Sequence, residues 1–369
     1  MKNNSKLKGG YTTGASAAAG VKAALIYKFY NKVVDEVEIT ALDGTILKIP
    51  IANIKVDGDK ICAEVIKNSG DDPDITNGVS IFTTIKKIVG NEIILRAGLG
   101  VGIVTKNGLQ IPKGEPAINP GPRQLIKNIL SEFNVDGVEI EISIPAGVEL
   151  AKKTLNPILG IEGGISVIGT TGVLRPMSED AFKNSLVPQI DVAIANGFKN
   201  LIFVPGKIGE NVALKIGFNP QSIVQTSNFI GHMLDSAVER NVEQIIFCGH
   251  IGKIIKIAAG IFHTHNRVAD GRLETLAAYS AAEGLSSTEV QKILDSATTE
   301  EATEIISLNN FEHVYKKIAT RASLRAERYT FEKIHVGTIF TNYAGKILGI
   351  DDFAEKSLPL NFVDKNFKR

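Results

Sequence analysis

Two cysteines, Cys62 and Cys248, are all that the 369 residues contain, which excludes a disulfide framework and a four-cysteine zinc site. Tryptophan is absent and aromatic residues make up 6%, so stacking platforms are few. Neither sign of charge dominates. Lys and Arg number 41 against 40 Asp and Glu, for a formal charge of +1, and a general nucleic-acid binder would carry a basic excess. No run of about 18 apolar residues occurs, so no membrane-spanning helix is expected. Met1 to Gly10 is polar and basic and lacks the apolar stretch of a signal peptide, which makes the cytoplasm the expected location. Neither a G-x-G-x-x-G fingerprint nor a Walker signature is found, and there is no internal repeat or low-complexity tract.

What remains is an ordinary globular composition, with 44% apolar and 22% charged residues and 35 glycines that promise many turns. About 150 residues per domain suggests two or three domains. The first half reads as α+β. Ala15 to Tyr30 is Ala-rich and nearly free of breakers, with Thr12 and Thr13 ahead of it as capping hydroxyls. Glu36 to Leu42 and Thr45 to Ile51 flank Asp43-Gly44 as a hairpin. Further strands are expected at Ile61 to Lys67, Val79 to Ile88, Glu92 to Ala97, Gly102 to Thr105 and Val138 to Ile144, with a helix over Pro122 to Phe133. The second half alternates short apolar runs (Leu201 to Val204, Ile223 to Gln225, Gln244 to Phe247) with helical patterns (Asn228 to Arg240, Gly252 to Phe262, Arg272 to Glu283). Such alternation indicates a parallel sheet covered by helices, with His335 to Phe340 as a late strand. The expected division is 1–184 for an α+β domain and 185–369 for a smaller α/β domain.

Five stretches carry chemistry. Gly10-Tyr11-Thr12-Thr13-Gly14 runs into the Ala-rich helix, where free amides and two hydroxyls suit an anion; a plain helix cap explains the same residues. Gly98 to Pro122 sets glycines and prolines around Lys106 and Lys113, with Arg96 before and Arg123 after it. Rigid turns studded with cations suit a ligand with several carboxylates, and the bland alternative is a solvated loop. Gly169-Thr170-Thr171-Gly172, followed by Arg175, reads as an open turn at a strand exit. In the second half, strand ends carry Gly206 and Gly209, then Thr226, Ser227 and Asn228, then Gly249 and His250. Open α/β sheets bind ligands outside the carboxyl ends of their strands, and a nucleoside-bearing cofactor is the natural guest. Last, His263 and His265 could contact a ligand or handle a proton; with Asp270 they could instead ligate a metal, as in a hydrolase, or simply end a helix.

Five segments, GYTTGASAAAGVKAA, GVGIVTKNGLQIPKGEPAINPGPR, GTTGVLRPMS, TSNFIGHMLD and GHIGKIIKIAAGIFHTHNRVAD, stand in an order that closely resembles the CbiD family from about Gly9 to about Ile350. That family is the cobalt-precorrin-5B (C-1)-methyltransferases of anaerobic cobalamin biosynthesis. The resemblance implies that S-adenosylmethionine donates a methyl group to ring carbon 1 of cobalt-precorrin-5B, giving cobalt-precorrin-6A. It implies a first domain similar to a permuted ribosomal S5 domain 2-like fold. It also implies that cobalt enters only as part of a small-molecule corrinoid substrate, with no protein-held metal; the balanced charge and the lack of a long apolar run already make nucleic acid and membrane unexpected as partners. A homo-oligomer is compatible with the sequence, which does not set the oligomeric state. The family's first motif usually continues with Ser or Thr and then Cys; here Ala15 and Ser16 stand there, so no cysteine nucleophile is assigned. Lys207 follows Gly206 where the family often has Asn. The expected substrate-binding residues are Thr12, Thr13, Lys106, Lys113, Arg123, Thr170, Thr171 and Arg175. Gly206, Gly209, Thr226, Ser227, Asn228, Gly249 and His250 are expected to hold the methyl donor, with His263 or His265 relaying a proton. A non-catalytic corrinoid carrier and a metal-dependent hydrolase are the competing readings.

Overall fold

A helix of small residues lies against a mostly antiparallel sheet in the first part of the chain. The computed structural model describes residues 7–359 and Phe362, so the basic start of the chain, residues 1–6, lies outside it. Its contacts divide the chain into two compact units, Met1–Glu179 and Asp180–Arg369. The division expected at 184/185 falls inside the helix Glu179–Leu186.

In the first unit, helix α1 (Thr13–Tyr30) is capped by Thr12, whose Oγ1 accepts from the Ala15 amide at 3.2 Å. Strands β1 (Glu36–Thr40) and β2 (Ile46–Pro50) form the expected antiparallel hairpin. Strands β3 (Asn53–Asp57), β4 (Lys60–Ile66), β5 (Ser80–Lys87), β6 (Ile93–Ala97) and, after helix α2 (Pro120–Glu132), β7 (Val138–Ser143) make one sheet. Its order is β3-β4-β5-β7-β6, antiparallel except for the β7–β6 pair. Alternation predicts which face is buried. Ile61, Ala63 and Val65 of β4, Ile81 and Ile85 of β5, and Ile140 and Ile142 of β7 join the Ala-rich face of α1 in one core. Small side chains let α1 approach closely, so the buried Thr83 of β5 donates from Oγ1 to the Ala17 carbonyl at 3.2 Å. Strand β3, where Ile54 and Val56 alternate with polar residues, is not among the expected strands; it is a short edge strand that stays almost wholly exposed.

The second unit begins with α3 (Glu179–Leu186) and α4 (Pro188–Ala195). It continues β8 (Asn200–Val204), α5 (Lys207–Ile216), β9 (Ile223–Gln225), α6 (Ile230–Glu239), β10 (Gln244–His250) and α7 (Ile251–Ala258). Helices α8 (Arg272–Ala282), α9 (Ser287–Asp295), α10 (Thr299–Leu308) and α11 (Val314–Tyr329) follow, then β11 (His335–Thr341), β12 (Ile347–Ile350) and α12 (Asp352–Lys356). The sheet order is β9-β8-β10-β11-β12, parallel apart from β12. Strands β8 and β10 are nearly continuous apolar runs, as strands covered on both faces must be. The edge strand β9 is closed by the buried Gln189 of α4, whose amide accepts from Gln225 N at 2.9 Å and donates to Gln225 O at 3.2 Å. Because β8 is followed in space by β9 on one side and β10 on the other, the chain reverses its winding between β8 and β10. That is where parallel α/β sheets open a crevice at their carboxyl ends.

Candidate functional site

Three of the quoted motifs meet at one place in the first unit. Thr13 is buried; its Oγ1 accepts from Ile168 N at 2.9 Å and donates to Ile168 O at 3.2 Å. Gly14 N donates to the same carbonyl at 3.0 Å, and Asn119 N, at the start of α2, donates to Val167 O at 3.0 Å. The starts of α1 and α2 therefore share the segment that leads into Gly169-Thr170-Thr171-Gly172. Gly169 has φ of 137°, and a Cβ there would lie 2.3 Å from Thr12 Oγ1, so only glycine lets the turn wrap the cap. Ala15 and Ser16 are fully buried in α1. Ser16 Oγ donates to Thr12 O at 3.0 Å.

The expected ligand cations of this unit are engaged to different degrees. Arg123 is tied inward: Nε donates to Ile118 O at 2.7 Å, while Nη2 reaches Pro116 O at 3.3 Å and Glu115 at 3.4 Å. It thus braces the Gly- and Pro-rich loop. Lys106 donates to Ile158 O at 2.9 Å with its methylenes over Gly160. Arg175 is 81% exposed and stands 3.6 Å from Asp43, whose pKa is held low first by the Thr45 amide. Arg96 is likewise exposed and pairs with Glu139 at 3.1 Å. Lys113 is exposed, and no acid among the described residues lies within ion-pair distance of it. Thr170 is exposed, whereas Thr171 Oγ1 accepts from Val173 N at 3.2 Å. A hollow of about 370 Å³ in this unit is lined by Gly9, Gly10, Tyr11, Leu47, Lys48, Asn68 and Val173, none of them an expected ligand residue.

In the second unit the strand ends converge. Only Pro205 and Gly206 separate β8 from α5, which already begins at Lys207, so Gly209 lies inside a helix rather than at an open strand end. The N-terminus of α5 has no side-chain cap, and a Cβ on Gly206 would meet nothing within 4 Å, so the helix start is uncapped and uncrowded at Gly206. Gly209, by contrast, is held against β10: a Cβ there would lie 2.3 Å from Cys248 O. Gly249 completes this close contact, its Cβ direction 3.1 Å from Pro205 Cδ. Gly209 and Gly249 thus bring the two strand ends together and leave the opening to Gly206. Glu210, one turn into α5, holds Lys207 at 2.9 Å and Gln225 Nε2 at 2.8 Å.

Beyond β9, Thr226 is buried and its amide continues the sheet to Val204 O at 2.9 Å. Ser227 turns the chain in the left-handed region at φ of 52°, and Asn228 accepts from Lys253 Nζ at 3.0 Å. His250 caps α7: its Nδ1 accepts from Gly252 N at 3.1 Å, so its proton sits on Nε2, 2.7 Å from Glu300. Tyr343, beyond β11, stacks on the His250 ring at 4.0 Å between centroids. Both nitrogens of His250 are thereby occupied within the protein.

The histidine segment is an extended turn rather than the end of a helix, since α7 stops at Ala258. His263 pairs with Phe229 as a bridge and stacks on its ring at 5.1 Å. His265 is exposed and its Nδ1 accepts from Arg267 N at 3.2 Å. The buried Lys256 organises this turn from below, donating to Thr264 O at 3.1 Å, Ala269 O at 3.0 Å and Asn266 Oδ1 at 2.7 Å. Burial lowers the pKa of Lys256, with Asp270 at 3.9 Å opposing that shift. Asp270 does not join the histidines as a third ligand. Arg272 grips it with two bonds of 2.7 Å, which lower its pKa. Among the described residues no group of three His, Cys, Asp or Glu is placed to hold a metal. Cys248 is no nucleophile, because full burial pushes its thiol up to about 12.

Lys253, Lys256, Glu210 and Tyr343 are the residues of these ends that the sequence reading passed over. The two lysines lay inside a quoted segment, but nothing in one dimension separates a buried lysine from a solvated one.

The comparisons with known proteins agree on one family. The model of CbiD matches residues 1–176 and that of the CbiD C-terminal domain matches residues 263–352. The chain is 51% identical over 353 residues to a cobalt-precorrin-5B C(1)-methyltransferase of Methanocaldococcus jannaschii, covering 93% of this chain and 96% of that one. It is 46% identical over 355 residues to the protein of the same name from Moorella thermoacetica, covering 95% and 97%. A crystal structure of the cobalamin biosynthesis protein cbiD from Archaeoglobus fulgidus is 27% identical, covers 75% of this chain and 85% of that one, and superposes with a TM-score of 0.38. With half its residues shared across almost its whole length with such relatives, the chain belongs to the CbiD family.

Proposed function

We propose that this chain methylates ring carbon 1 of cobalt-precorrin-5B with S-adenosylmethionine as donor, giving cobalt-precorrin-6A. The observation that carries this is the 51% identity, over 93% of the chain, with a relative named for that reaction. The donor, when bound, supplies an electrophilic sulfonium methyl that passes to a nucleophilic ring carbon as the thioether departs. The covalent chemistry therefore lies in the reactants. What the protein contributes is grip and alignment, which in well-oriented systems lower a barrier by roughly 7–11 kcal/mol.

Which residues do this is our reading. The carboxyl ends of β8, β9 and β10 hold the donor, around the uncapped start of α5 at Gly206 and the turn Thr226-Ser227-Asn228. The open space at Gly206 supports it, since a ligand can reach the helix start there. Gly209, Gly249 and His250 shape that site from behind rather than touching the ligand. In the first unit, the exposed Lys113, Thr170 and Arg175, with the helix starts beside Thr12 and Thr13, receive carboxylate arms of the macrocycle. Lys106 and Arg123 hold the loop that presents them. His263 or the exposed His265 takes the proton that the ring gives up to balance the charge of the incoming methyl. Cobalt is part of the substrate. We further read the first unit as a permuted ribosomal S5 domain 2-like fold, on its long helix α1 over a mainly antiparallel sheet, and place the enzyme in the cytoplasm.

Anaerobic incubation with cobalt-precorrin-5B and methyl-labelled S-adenosylmethionine tests the reaction. The product gains one labelled methyl by mass, and no label appears if the chain is only a carrier.

A further inference from the structure

Lysine cations under the surface need an anion, because desolvating an ammonium is costly unless a partner offsets it. In this protein Lys67 has Asp74 at 2.7 Å, and Lys256 has three oxygens within 3.1 Å with Asp270 beyond them. Lys253, one helical turn before Lys256 on the same helix, is different. It is half-buried in the first turn of α7, and among the described residues its Nζ has a single partner, the neutral amide oxygen of Asn228 at 3.0 Å. Among the described residues no carboxylate lies within ion-pair distance of it. The neighbouring Lys256 carries the same charge and offers it no partner. The bridge from Lys253 to Asn228 joins the turns that follow β10 and β9, the two strands flanking β8. A cation is thus stationed, without its anion, across the mouth where the sheet opens.

We propose that Lys253, steered by Asn228, is the receptor for a ligand carboxylate at the carboxyl end of this sheet. The anion comes either from the amino-acid end of the methyl donor or from an arm of the macrocycle. Burial already depresses the lysine's pKa, and an incoming carboxylate would restore it. The inference rests on the reading that these strand ends form the ligand site.

Calorimetry on the full chain separates the sources, with S-adenosylhomocysteine, its decarboxylated analogue, and cobyrinic acid as probes. Lys253→Met is expected to weaken either S-adenosylhomocysteine or cobyrinic acid by about tenfold or more, the effect of losing one charge-assisted bond. Lys253→Arg should recover most of that loss. If the donor supplies the anion, wild type and Lys253→Met bind the decarboxylated analogue alike. Lys253→Gln, which keeps a donor to Asn228 but no charge, replaces the Met variant if thermal unfolding shows that variant to be misfolded. Equal binding of both carboxylate ligands by wild type and variant overturns the proposal alone. An equal loss on S-adenosylhomocysteine and its decarboxylated analogue, with cobyrinic acid unaffected, also overturns it, since packing rather than charge would then be at work. If the wild-type chain binds none of the three probes, the ligand-site reading falls with it.

Discussion

The two units treat the same kinds of residue in opposite ways. In the first, most of the cations and hydroxyls that the sequence marks out are turned to internal use: Arg123 braces its own loop, Lys106 reaches a backbone carbonyl, and Thr13 locks to Ile168. In the second, the strand ends leave an uncapped helix start at Gly206 and a lysine that meets no carboxylate among the described residues. A polar residue in a Gly-rich motif is therefore weak evidence for ligand contact until its own backbone has been searched for partners. An orphaned group at a sheet's carboxyl end is stronger evidence.

The largest test of that contrast is Gly206→Val. No protein atom opposes a Cβ there, so the fold should hold. A side chain over the α5 amides should remove about two charge-assisted bonds, roughly 3 kcal/mol or about a hundredfold in S-adenosylhomocysteine affinity. Undiminished binding by calorimetry would move the donor elsewhere. Next come the two buried lysines. Lys256→Met strands buried carbonyls under the histidine turn, and Lys67→Met strands Asp74. Each should lose about 3 kcal/mol in urea unfolding. Only the Lys256 variant should also slow methyl transfer in the molecules that remain folded. Equal activity per folded molecule in both would detach the histidines from the reaction.

A smaller effect separates Lys113 from Arg123. Lys113→Ala should weaken cobalt-corrinoid binding by a few-fold at unchanged Tm, as an exposed ion pair does. Arg123→Ala should lower Tm first, because it frees the loop from 115 to 118. If neither changes macrocycle affinity, the first unit does not grip carboxylates. The smallest effect is in pH. Asp74 is partly desolvated, which raises its pKa, but bonds from Lys67 and Thr76 outweigh this and lower it overall. Its stabilisation is thus complete above the unfolded carboxylate value near 3.9 and fades as pH falls through the lower folded value. Asp74→Asn should flatten that acid limb of an unfolding curve, and an unchanged limb would mean that other carboxylates set it.

Much of the architecture was legible in one dimension because it is written in local patterns. Thr12 before an Ala-rich run announces α1, Asp43-Gly44 announces a hairpin, and the alternation in Val138–Ser143 names its buried face. Helix α5 was missed because its first residues look like a glycine turn, although Val212, Ala213 and Ile216 carry the apolar face. The pairing of Asp270 with Arg272 rather than with His263 and His265 was invisible for a different reason. Residues two apart can compete for one carboxylate, and only coordinates show which wins.

By itself, then, the sequence determined the types of its most strongly patterned elements, the parallel character of the second sheet and, through five long motifs, the family, because each is encoded in neighbours along the chain. The tertiary structure alone decided which cations are spent on the fold and which remain for a ligand. Partnership depends on atoms brought together from distant positions, as Lys253 and Asn228 are from the ends of two strands that never touch.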